Sequence, residues 1–386
     1  MKLSIKLGGD KKIWYILFAL AVISILSVYS SSYRQTMYAD DLTSAIFRHV
    51  RLLTVGFAAM YLVHLAPLNA YRLLAPIALL AIILCLILVI LISGEFSRRW
   101  LFSRSFQPSD FAKVFMVVYL AKVMSEGFDE SLGKFLKRVI VPIAIVCGLI
   151  ISAHTSTTLI IGGTSMILIV MGAGKKKYVG ASMLLAFAAL SLYLLLVKMP
   201  AAQEYLTRGD TAASRLSAFF RSGAGAEDYE QAQKAKYAII NGGLFGQMPG
   251  KSFYRKTLTE AHNDFIFVII IEEYGLLLGG TGIIILYLIL FYRVLLVIRK
   301  CRMAFTSLLL SGLLVLILMQ TFIHIGVSVG GLPVTGQNLP MISTGGSSIL
   351  VTCIAFGMIL SVSRTGEEQE RNEANVQHNS IGEQGK

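Results

Sequence analysis

The sequence predicts an all-α polytopic membrane protein with ten transmembrane helices. Of its 386 residues, 55% are hydrophobic and only 15% are charged, whereas soluble globular domains carry about 25% charged residues. The apolar residues also form long uncharged runs, and a helix needs about 20 apolar residues to cross the hydrocarbon core of a bilayer. Together these features exclude a soluble enzyme and an intrinsically disordered chain.

The ten predicted spans follow one another along the chain. Uncharged windows predict single helices at 13–32, 52–67, 73–93, 178–196 and 274–292. The run 139–174 is broken near 152–156 and predicts two helices, and the run 303–363 predicts two more because the Gly/Pro/Ser-rich stretch 330–348 interrupts it. The remaining span, 109–124, carries three charged side chains, but its apolar face still fits one crossing.

The distribution of Lys and Arg predicts which side of the membrane each loop faces. An even number of spans places both termini on one side, and basic residues are concentrated at 1–12, 134–138, 175–177 and 299–302, in loops that share that side. Because cytoplasmic loops carry an excess of Lys and Arg, both termini are predicted to be cytoplasmic. The net charge of +13 is therefore mainly a topology signal, and no nucleic-acid partner is expected.

The chain then divides into three parts. Residues 1–12 form a cytoplasmic N-terminus, residues 13–363 form the membrane domain, and residues 364–386 are predicted to be a disordered cytoplasmic tail because they are rich in Glu, Gln and Asn. A large extracytoplasmic loop, about 199–263, lies between predicted helices 7 and 8. Part of it, 229–240, has helical apolar spacing suited to the membrane interface.

Basic residues on the predicted outer side need an explanation of their own. Arg99 lies beside Trp100 in one outer segment, and Arg215, Lys251 and Arg255 lie in the large loop. One explanation is that long loops cross the membrane regardless of charge and that Lys and Arg side chains extend toward lipid headgroups. The other is an anionic ligand at the outer leaflet, because Arg and Lys bind phosphate groups.

Carboxylates are concentrated where the chain returns to the membrane from the large loop. Glu260 and Asp264 precede an apolar run that ends in Glu272 and Glu273. If this segment is helical, Glu260 and Asp264 share one face, and Glu272 lies about 80° around the helix from Asp264. Asp264 either caps the start of a helix or acts as a general base or cation ligand at the mouth of an outward-facing cavity.

Two glycine-rich stretches lie near these acids. The first, 242–252, lacks phosphate-loop spacing, so its glycines are predicted to permit a sharp turn or the approach of backbone amides to a ligand. The second, 330–348, cannot form a regular helix and is either an ordinary loop or a cavity wall. A cavity wall is possible because non-helical backbone at membrane depth occurs only where it is buried in protein or lines a water-filled cavity. Asp110 and Lys113 are predicted to pair at i,i+3, and His154 and His324 are predicted to be hydrogen-bonded packing residues.

Six motifs in fixed order identify a family resemblance. They are Arg99-Trp100, 107–113, 242–246, 260–267, 272–275 and 339–348. Together they resemble the SEDS family (shape, elongation, division and sporulation) of FtsW, RodA and SpoVE, over almost the whole chain. The residues 231–236 and 272–275 are most similar to the division branch, FtsW, of Bacteroidetes-type bacteria.

The resemblance implies a function and a mechanism. It implies a ten-helix enzyme of the bacterial inner membrane, a peptidoglycan glycosyltransferase that polymerises lipid II at the outer face for septal cell-wall synthesis. Its implied partners are a class B penicillin-binding protein and other divisome proteins. The catalytic acid of the family matches Asp264, and an inverting displacement needs one such base. A divalent cation, Mg²⁺ or Mn²⁺, is expected to assist, and no nucleotide cofactor is implied.

The motifs and the outer basic residues together nominate a substrate-binding set. Its members are Arg99, Trp100, Gln107, Lys113, Arg215, Lys251, Ser252, Arg255, Glu260, His262, Ser343, Gly345, Gly346 and Ser347. The chain departs from the family pattern at several positions. His154 replaces an acid, Met248 replaces a glycine, His324 replaces an asparagine, and Asp110 replaces a glutamate.

Three other functions remain open from the sequence. A flippase for a polyprenyl-linked sugar would want charged or polar residues along the whole path through the membrane, and the run 303–363 contains no charged one. A non-catalytic scaffold for a division complex predicts that Asp264 is dispensable. An elongation polymerase of the RodA type would carry out the same chemistry in another process.

Overall fold

A computed structural model describes residues 8–31, 42–93, 106–128, 131–151, 153–197, 227–258 and 261–384. Regular structure in these ranges consists of α-helices with short π- and 3₁₀-helical segments. The predicted all-α class is therefore confirmed.

The N-terminal half contains eight helices in the described ranges. They are α1 (Lys11–Ser31), α2 (Leu42–Leu65), α3 (Leu68–Ser93), α4 (Pro108–Glu126), α5 (Leu132–Phe135), α6 (Val141–Ile151), α7 (Thr155–Gly172) and α8 (Lys176–Val197). A π-helical segment, Leu136–Ile140, joins α5 to α6. Pro108 occupies the first turn of α4, where its missing N–H removes no helical hydrogen bond.

The C-terminal half contains five helices in the described ranges. They are α9 (Glu227–Gly242), α10 (Ile266–Tyr274), α11 (Gly282–Lys300), α12 (Ala304–Ser328) and α13 (Gly346–Gln384). The π-helical segment Gly275–Thr281 joins α10 to α11, and Gly275 interrupts the helical backbone with a φ of 80° and a ψ of 170°. The predicted span 274–292 therefore lies inside a longer helical segment, Ile266–Lys300. The helical spacing at 229–240 is confirmed by α9.

Seven helices in the described ranges are long and apolar enough to cross a membrane. They are α1, Ile46–Leu65, Leu68–Ile92, α7, Ile266–Lys300, α12 and Gly346–Glu373. The other three predicted spans coincide with α4, with α6 and with α8, which are also helical. The chain is thus a helical protein with several membrane-spanning segments.

Helix α4 lies inside the bundle and determines where the polar site can form. It packs against α3, α7 and α12, and most of its side chains are buried. Gly312 of α12 permits close packing here, because a Cβ at this position would meet the side chains of Val117 on α4 and Leu168 on α7. Small residues allow membrane helices to approach closely in this way.

The C-terminal segment differs from the sequence prediction. Residues 364–386 were expected to be disordered, but α13 continues as helix to Gln384. Glu and Arg favour helix even in a polar segment, and ion pairs hold this extension to the α11–α12 loop. Lys300 lies 3.1 Å from Glu370, and Arg302 pairs with Glu373. The prediction failed because it was based on polarity alone.

Candidate functional site

Asp264 lies in a turn that leads into α10. Residues 261–265 form the turn, α10 begins at Ile266, and its N-cap is Phe265, so Asp264 precedes the cap position. The condition that one helix runs through Asp264 and Glu272 is therefore not met, and the angle of about 80° between them does not apply. The Asp264 side chain is half-buried. Its Oδ2 atom lies 3.4 Å from the position that a Cβ on Gly336 would occupy.

The non-helical stretch before α13 passes directly beside Asp264. No helix forms between Val329 and Gly345, as predicted, whereas 346–348, predicted to be non-helical, form the first turn of α13. Gly336 has a φ of 65°, in the left-handed region that favours glycine. The Ser156 hydroxyl holds the same stretch by donating to the Thr335 carbonyl oxygen at 3.0 Å. This backbone forms one side of the environment of the Asp264 carboxylate.

Hydrogen bonds fix the Asp264 turn to Ser343 and Thr344, just before α13. The Ser343 hydroxyl donates to the Asn263 carbonyl oxygen at 2.8 Å and accepts from the Leu339 N–H at 2.8 Å. The Thr344 hydroxyl donates to Asn263 Oδ1 at 2.5 Å, and the Thr344 N–H donates to the His262 carbonyl oxygen at 3.3 Å. Ser343 and His262, nominated as substrate-binding residues, thus position Asp264 through these bonds.

A buried polar cluster lies at the start of α4. Lys113 Nζ lies 2.8 Å from Asp110 Oδ1, which confirms the predicted pair, and the Ser347 hydroxyl donates to Asp110 Oδ2 at 2.7 Å. Gln107 Nε2 lies 2.9 Å from His154 Nε2. Lys113, Ser347 and Gln107, all nominated as substrate-binding residues, are therefore joined to other side chains of the protein, and His154 bonds within this cluster.

The two nominated glycines at the start of α13 are packing positions. A Cβ on Gly345 would collide with the Asn338 side-chain amide, and a Cβ on Gly346 would contact Leu52 at 3.6 Å. Gly345 thus leaves room for Asn338, whereas Gly346 sits in an ordinary contact with α2.

A second group of nominated residues is organised by Glu272. This buried carboxylate accepts hydrogen bonds from Asn241 Nδ2 at 2.8 Å, from the Ser252 hydroxyl, from the Phe253 N–H at 3.0 Å and from the Tyr254 N–H at 3.3 Å. Buried charges persist in proteins when hydrogen bonds of this kind surround them. Glu272 therefore holds the 252–254 turn. Its carboxylate oxygens bond to other groups of the protein and not to a ligand.

Arg255 is tied to the end of α1. Its Nη1 donates to the Ser30 carbonyl oxygen at 3.3 Å, its N–H donates to Ser252 Oγ at 3.2 Å, and the Ser30 hydroxyl donates to the buried Glu273 carboxylate. Lys251, by contrast, is exposed. Sequence reasoning missed Ser30, because a serine inside an apolar run carries no signal of its distant partner.

The glycine loop 242–246 packs against the backbone at the end of α10. The Gln247 and Met248 N–H groups donate to the carbonyl oxygens of Glu272 and Glu273 at 2.9 and 3.0 Å. The Leu276 N–H donates to the Gly243 carbonyl oxygen at 2.9 Å. Of the two predicted roles for these glycines, the structure shows the sharp turn, at 243–245, and the turn brings the loop against another segment of the protein.

Four nominated residues, Arg99, Trp100, Arg215 and Glu260, lie outside the described residues. Within the described ranges, no group of three or more His, Cys, Asp or Glu side chains is arranged to hold a metal ion. The described side chains therefore do not by themselves form a metal site of the kind that binds zinc or calcium.

Comparison with known families decides the classification of this chain. The model of the cell cycle protein family of FtsW, RodA and SpoVE matches residues 10–368. The chain belongs to this family. One similar relative is the probable peptidoglycan glycosyltransferase FtsW of Enterococcus hirae, 31% identical over 377 residues that cover 91% of each chain. Another is the stage V sporulation protein E of Bacillus subtilis, 30% identical over 93% of this chain and 98% of its own.

Solved structures of the family share the fold. A chain from a peptidoglycan synthase complex, described as coordinating polymerization and crosslinking, matches with a TM-score of 0.74 and 21% identity, over 93% of this chain and 98% of that one. The rod shape determining protein RodA of Thermus thermophilus matches with a TM-score of 0.65 and 22% identity, over 94% and 98%. At these identities the matches establish the family fold.

Proposed function

We propose that this member of the FtsW, RodA and SpoVE family is a peptidoglycan glycosyltransferase that polymerises lipid II for septal cell-wall synthesis. The observation that carries the proposal is the full-length similarity to relatives named as peptidoglycan glycosyltransferases, at about a third identity. The site geometry supports it, because Asp264 is half-buried and its turn is fixed by Ser343 and Thr344.

Asp264 is proposed as the general base. Its carboxylate takes the proton from the 4-hydroxyl of the acceptor sugar while that oxygen forms a bond to C1 of the donor sugar. The bond from C1 to the pyrophosphate oxygen breaks, and the pyrophosphate leaves with the electron pair. One displacement of this kind inverts the α-linked donor to a β-linked product, and a base within hydrogen-bond reach accelerates it.

The departing pyrophosphate needs positive charge nearby. Lys251 is exposed and directly precedes the 252–254 turn that Glu272 holds, and Arg255 directly follows this turn. Both side chains are therefore candidates for this role. Mg²⁺ is often bound by one or two carboxylates together with substrate phosphates. A Mg²⁺ or Mn²⁺ ion held in this way with the pyrophosphate of lipid II would add to that positive charge.

The proposed topology places Asp264 on the outer face of the inner membrane. In this topology all ten predicted helices cross the membrane, and both termini are cytoplasmic. The segment between α8 and α10 forms the large outer loop. The basic residues at 134–138, 175–177 and 299–302 support this orientation. The proposed partners are a class B penicillin-binding protein, which would crosslink the new strands, and divisome proteins at the septum.

Reconstitution with labelled lipid II tests the proposal. The purified full-length protein and its penicillin-binding partner are expected to make glycan polymer, and Asp264→Asn is expected to lower the rate by at least roughly a hundredfold, as for other general bases. Glu230→Gln is the matched control, because it removes an exposed carboxylate of α9 that pairs only with Lys234 in the described part of the chain.

The outcomes separate the candidate functions. Polymer from the wild type and the Glu230→Gln variant, with none from a folded Asp264→Asn variant, supports the proposal. Full activity of Asp264→Asn contradicts the mechanism, and the absence of both polymer and lipid translocation with the wild type favours a scaffold. Lipid translocation into vesicles without polymer favours a flippase. Depletion in cells that gives filaments supports a division role, whereas rounded cells favour an elongation polymerase.

A further inference from the structure

A cavity of about 710 Å³ lies at the opposite end of the bundle from Asp264. Helix α1 connects the two ends, since Ser30 near its C-terminus contacts Glu273 and Asp10 before its N-terminus lines the cavity. The cavity is lined by the start of α1, the start of α3, the end of α11, the α11–α12 loop and α13 from Val362 onward. Apolar helices become polar at this level, which is where a membrane surface lies.

The lining of the cavity is predominantly basic. Six of its side chains are Lys or Arg and three are Asp or Glu. Three of the basic side chains have acidic partners, because Arg293 pairs with Asp10, Lys300 with Glu370 and Arg302 with Glu373.

Three further cations line the cavity without such a partner. Lys11, Lys12 and Arg299 are exposed, and no carboxylate in the described part of the chain forms an ion pair with them. The Glu367 carboxylate at the same cavity accepts a hydrogen bond from the Gly9 N–H at 3.2 Å. The cavity therefore presents an excess of positive charge that the described part of the chain does not neutralise.

Part of the cavity lining is apolar. Leu68, Val297 and Val362 line it and are buried, whereas Met303 lines it and is half exposed. A soluble anion such as phosphate gains nothing from an apolar surface, whereas a phospholipid places its phosphate among cations and its acyl chains against apolar side chains. The lining thus matches an amphipathic ligand with an anionic head.

We propose that this cavity binds the headgroup of an anionic phospholipid between α1, α11 and α13. Lys12 and Arg299 contact the phosphate, and the acyl chains leave along the apolar helices toward the bilayer. Bound lipid would link the N-terminus to the extension of α13. The inference does not depend on the chemistry assigned to Asp264.

Native mass spectrometry of the full-length protein in detergent tests the site, with dioleoyl phosphatidylglycerol as the probe. The wild type is expected to retain this lipid, and the double variant Lys12→Gln/Arg299→Gln is expected to bind it at least roughly tenfold more weakly, since each lost cation weakens attraction to an anionic lipid. The variant Arg299→Lys with Lys12 intact keeps the charge and is expected to bind within about threefold of the wild type.

The matched control is Lys137→Gln/Lys176→Gln, which removes two exposed cations from the same end of the bundle but outside the cavity. Its binding is expected to equal that of the wild type. The proposal is overturned if both double variants lose the lipid to the same extent or both retain it to the same extent. It is also overturned if the wild type binds phosphatidylcholine as tightly as phosphatidylglycerol. Displacement of the lipid by inorganic phosphate at the same concentration assigns the site to a soluble anion and overturns the lipid assignment. If Lys12→Gln/Arg299→Gln fails to fold, Lys12→Gln and Arg299→Gln are tested separately, and each is expected to show a smaller loss of lipid affinity.

Discussion

Gly246 and Gly275 lie backbone against backbone. A Cβ on Gly275 would collide with the Leu244 carbonyl oxygen, the Phe245 carbonyl carbon and the Gly246 nitrogen, and a Cβ on Gly246 would collide with the Glu273 carbonyl oxygen and the Gly275 nitrogen. Both glycines also have positive φ angles, 82° and 80°. The loop 242–246 and the end of α10 therefore form one unit that fixes Glu272 and Glu273, which in turn hold the 252–254 turn and Ser30.

Gly246→Ala is expected to lower the free energy of unfolding by about 3 kcal/mol, because it combines overpacking with a left-handed backbone. Gly243→Ala is the matched control. Gly243 also has a positive φ, 54°, but a Cβ there would have no neighbour within 4 Å, so about 1 kcal/mol is expected. Thermal unfolding of the purified protein in detergent measures both. Equal losses would show that the contact with Gly275 contributes nothing.

Met248 offers a substitution that is expected to stabilise the protein. Its φ is 79°, in a region that costs an ordinary residue about 1–2 kcal/mol, and its side chain is 62% exposed. The family pattern has glycine here, and Met248→Gly is expected to raise the free energy of unfolding by roughly 1 kcal/mol. Met248→Ala retains the strained backbone and is expected to give no gain. A midpoint that is the same for both variants would argue against strain at this position.

Local pattern predicted a substantial part of this fold. Uncharged runs located the helices, the Gly/Pro/Ser content of 330–348 predicted the non-helical stretch, and the spacing of Asp110 and Lys113 predicted their pair. Each of these features is determined by residues that are neighbours in the chain. Composition predicted disorder at 364–386, where the structure has a helix. Ion pairs such as Arg302–Glu373 stabilise that helix, and a hydrophobicity pattern contains no information about such pairs.

The candidate site was less predictable because its contacts join distant segments. The sequence nominated Asp264, Ser343 and Ser252 but did not indicate that Ser343 bonds to the backbone beside Asp264 or that Ser252 bonds to Glu272. Ser30 and Gly336 carried no signal at all. Such partners depend on tertiary packing, whereas a motif gives only the identity of each residue.

Ser343→Ala is expected to impair the placement of Asp264. The substitution removes the donor to the Asn263 carbonyl oxygen and the acceptor for the buried Leu339 N–H, at an expected cost of about 1–2 kcal/mol in stability. Polymerisation of labelled lipid II is expected to fall roughly tenfold or more, because small displacements of a catalytic group are costly.

The control for this prediction is Ser125→Ala. The Ser125 hydroxyl bonds within its own helix, to the Lys122 carbonyl oxygen at 2.7 Å, at the far end of α4, so its polymerisation rate is expected to match that of the wild type. A Ser343→Ala variant with an unchanged rate would mean that Thr344 alone suffices to hold the turn.

The Asp110–Lys113 pair allows a test of whether Lys113 serves the fold or the substrate. Both side chains are buried, so Lys113→Met leaves an unpaired buried carboxylate and is expected to cost about 3–5 kcal/mol, whereas Asp110→Asn/Lys113→Met is expected to recover most of that loss. Thermal unfolding of the wild type, Lys113→Met, Asp110→Asn and the double variant measures the coupling. A double variant that is stable and still polymerises lipid II assigns Lys113 to the fold alone. A double variant that is stable but does not polymerise lipid II assigns Lys113 to the substrate as well. A double variant that is no more stable than Lys113→Met contradicts the predicted coupling.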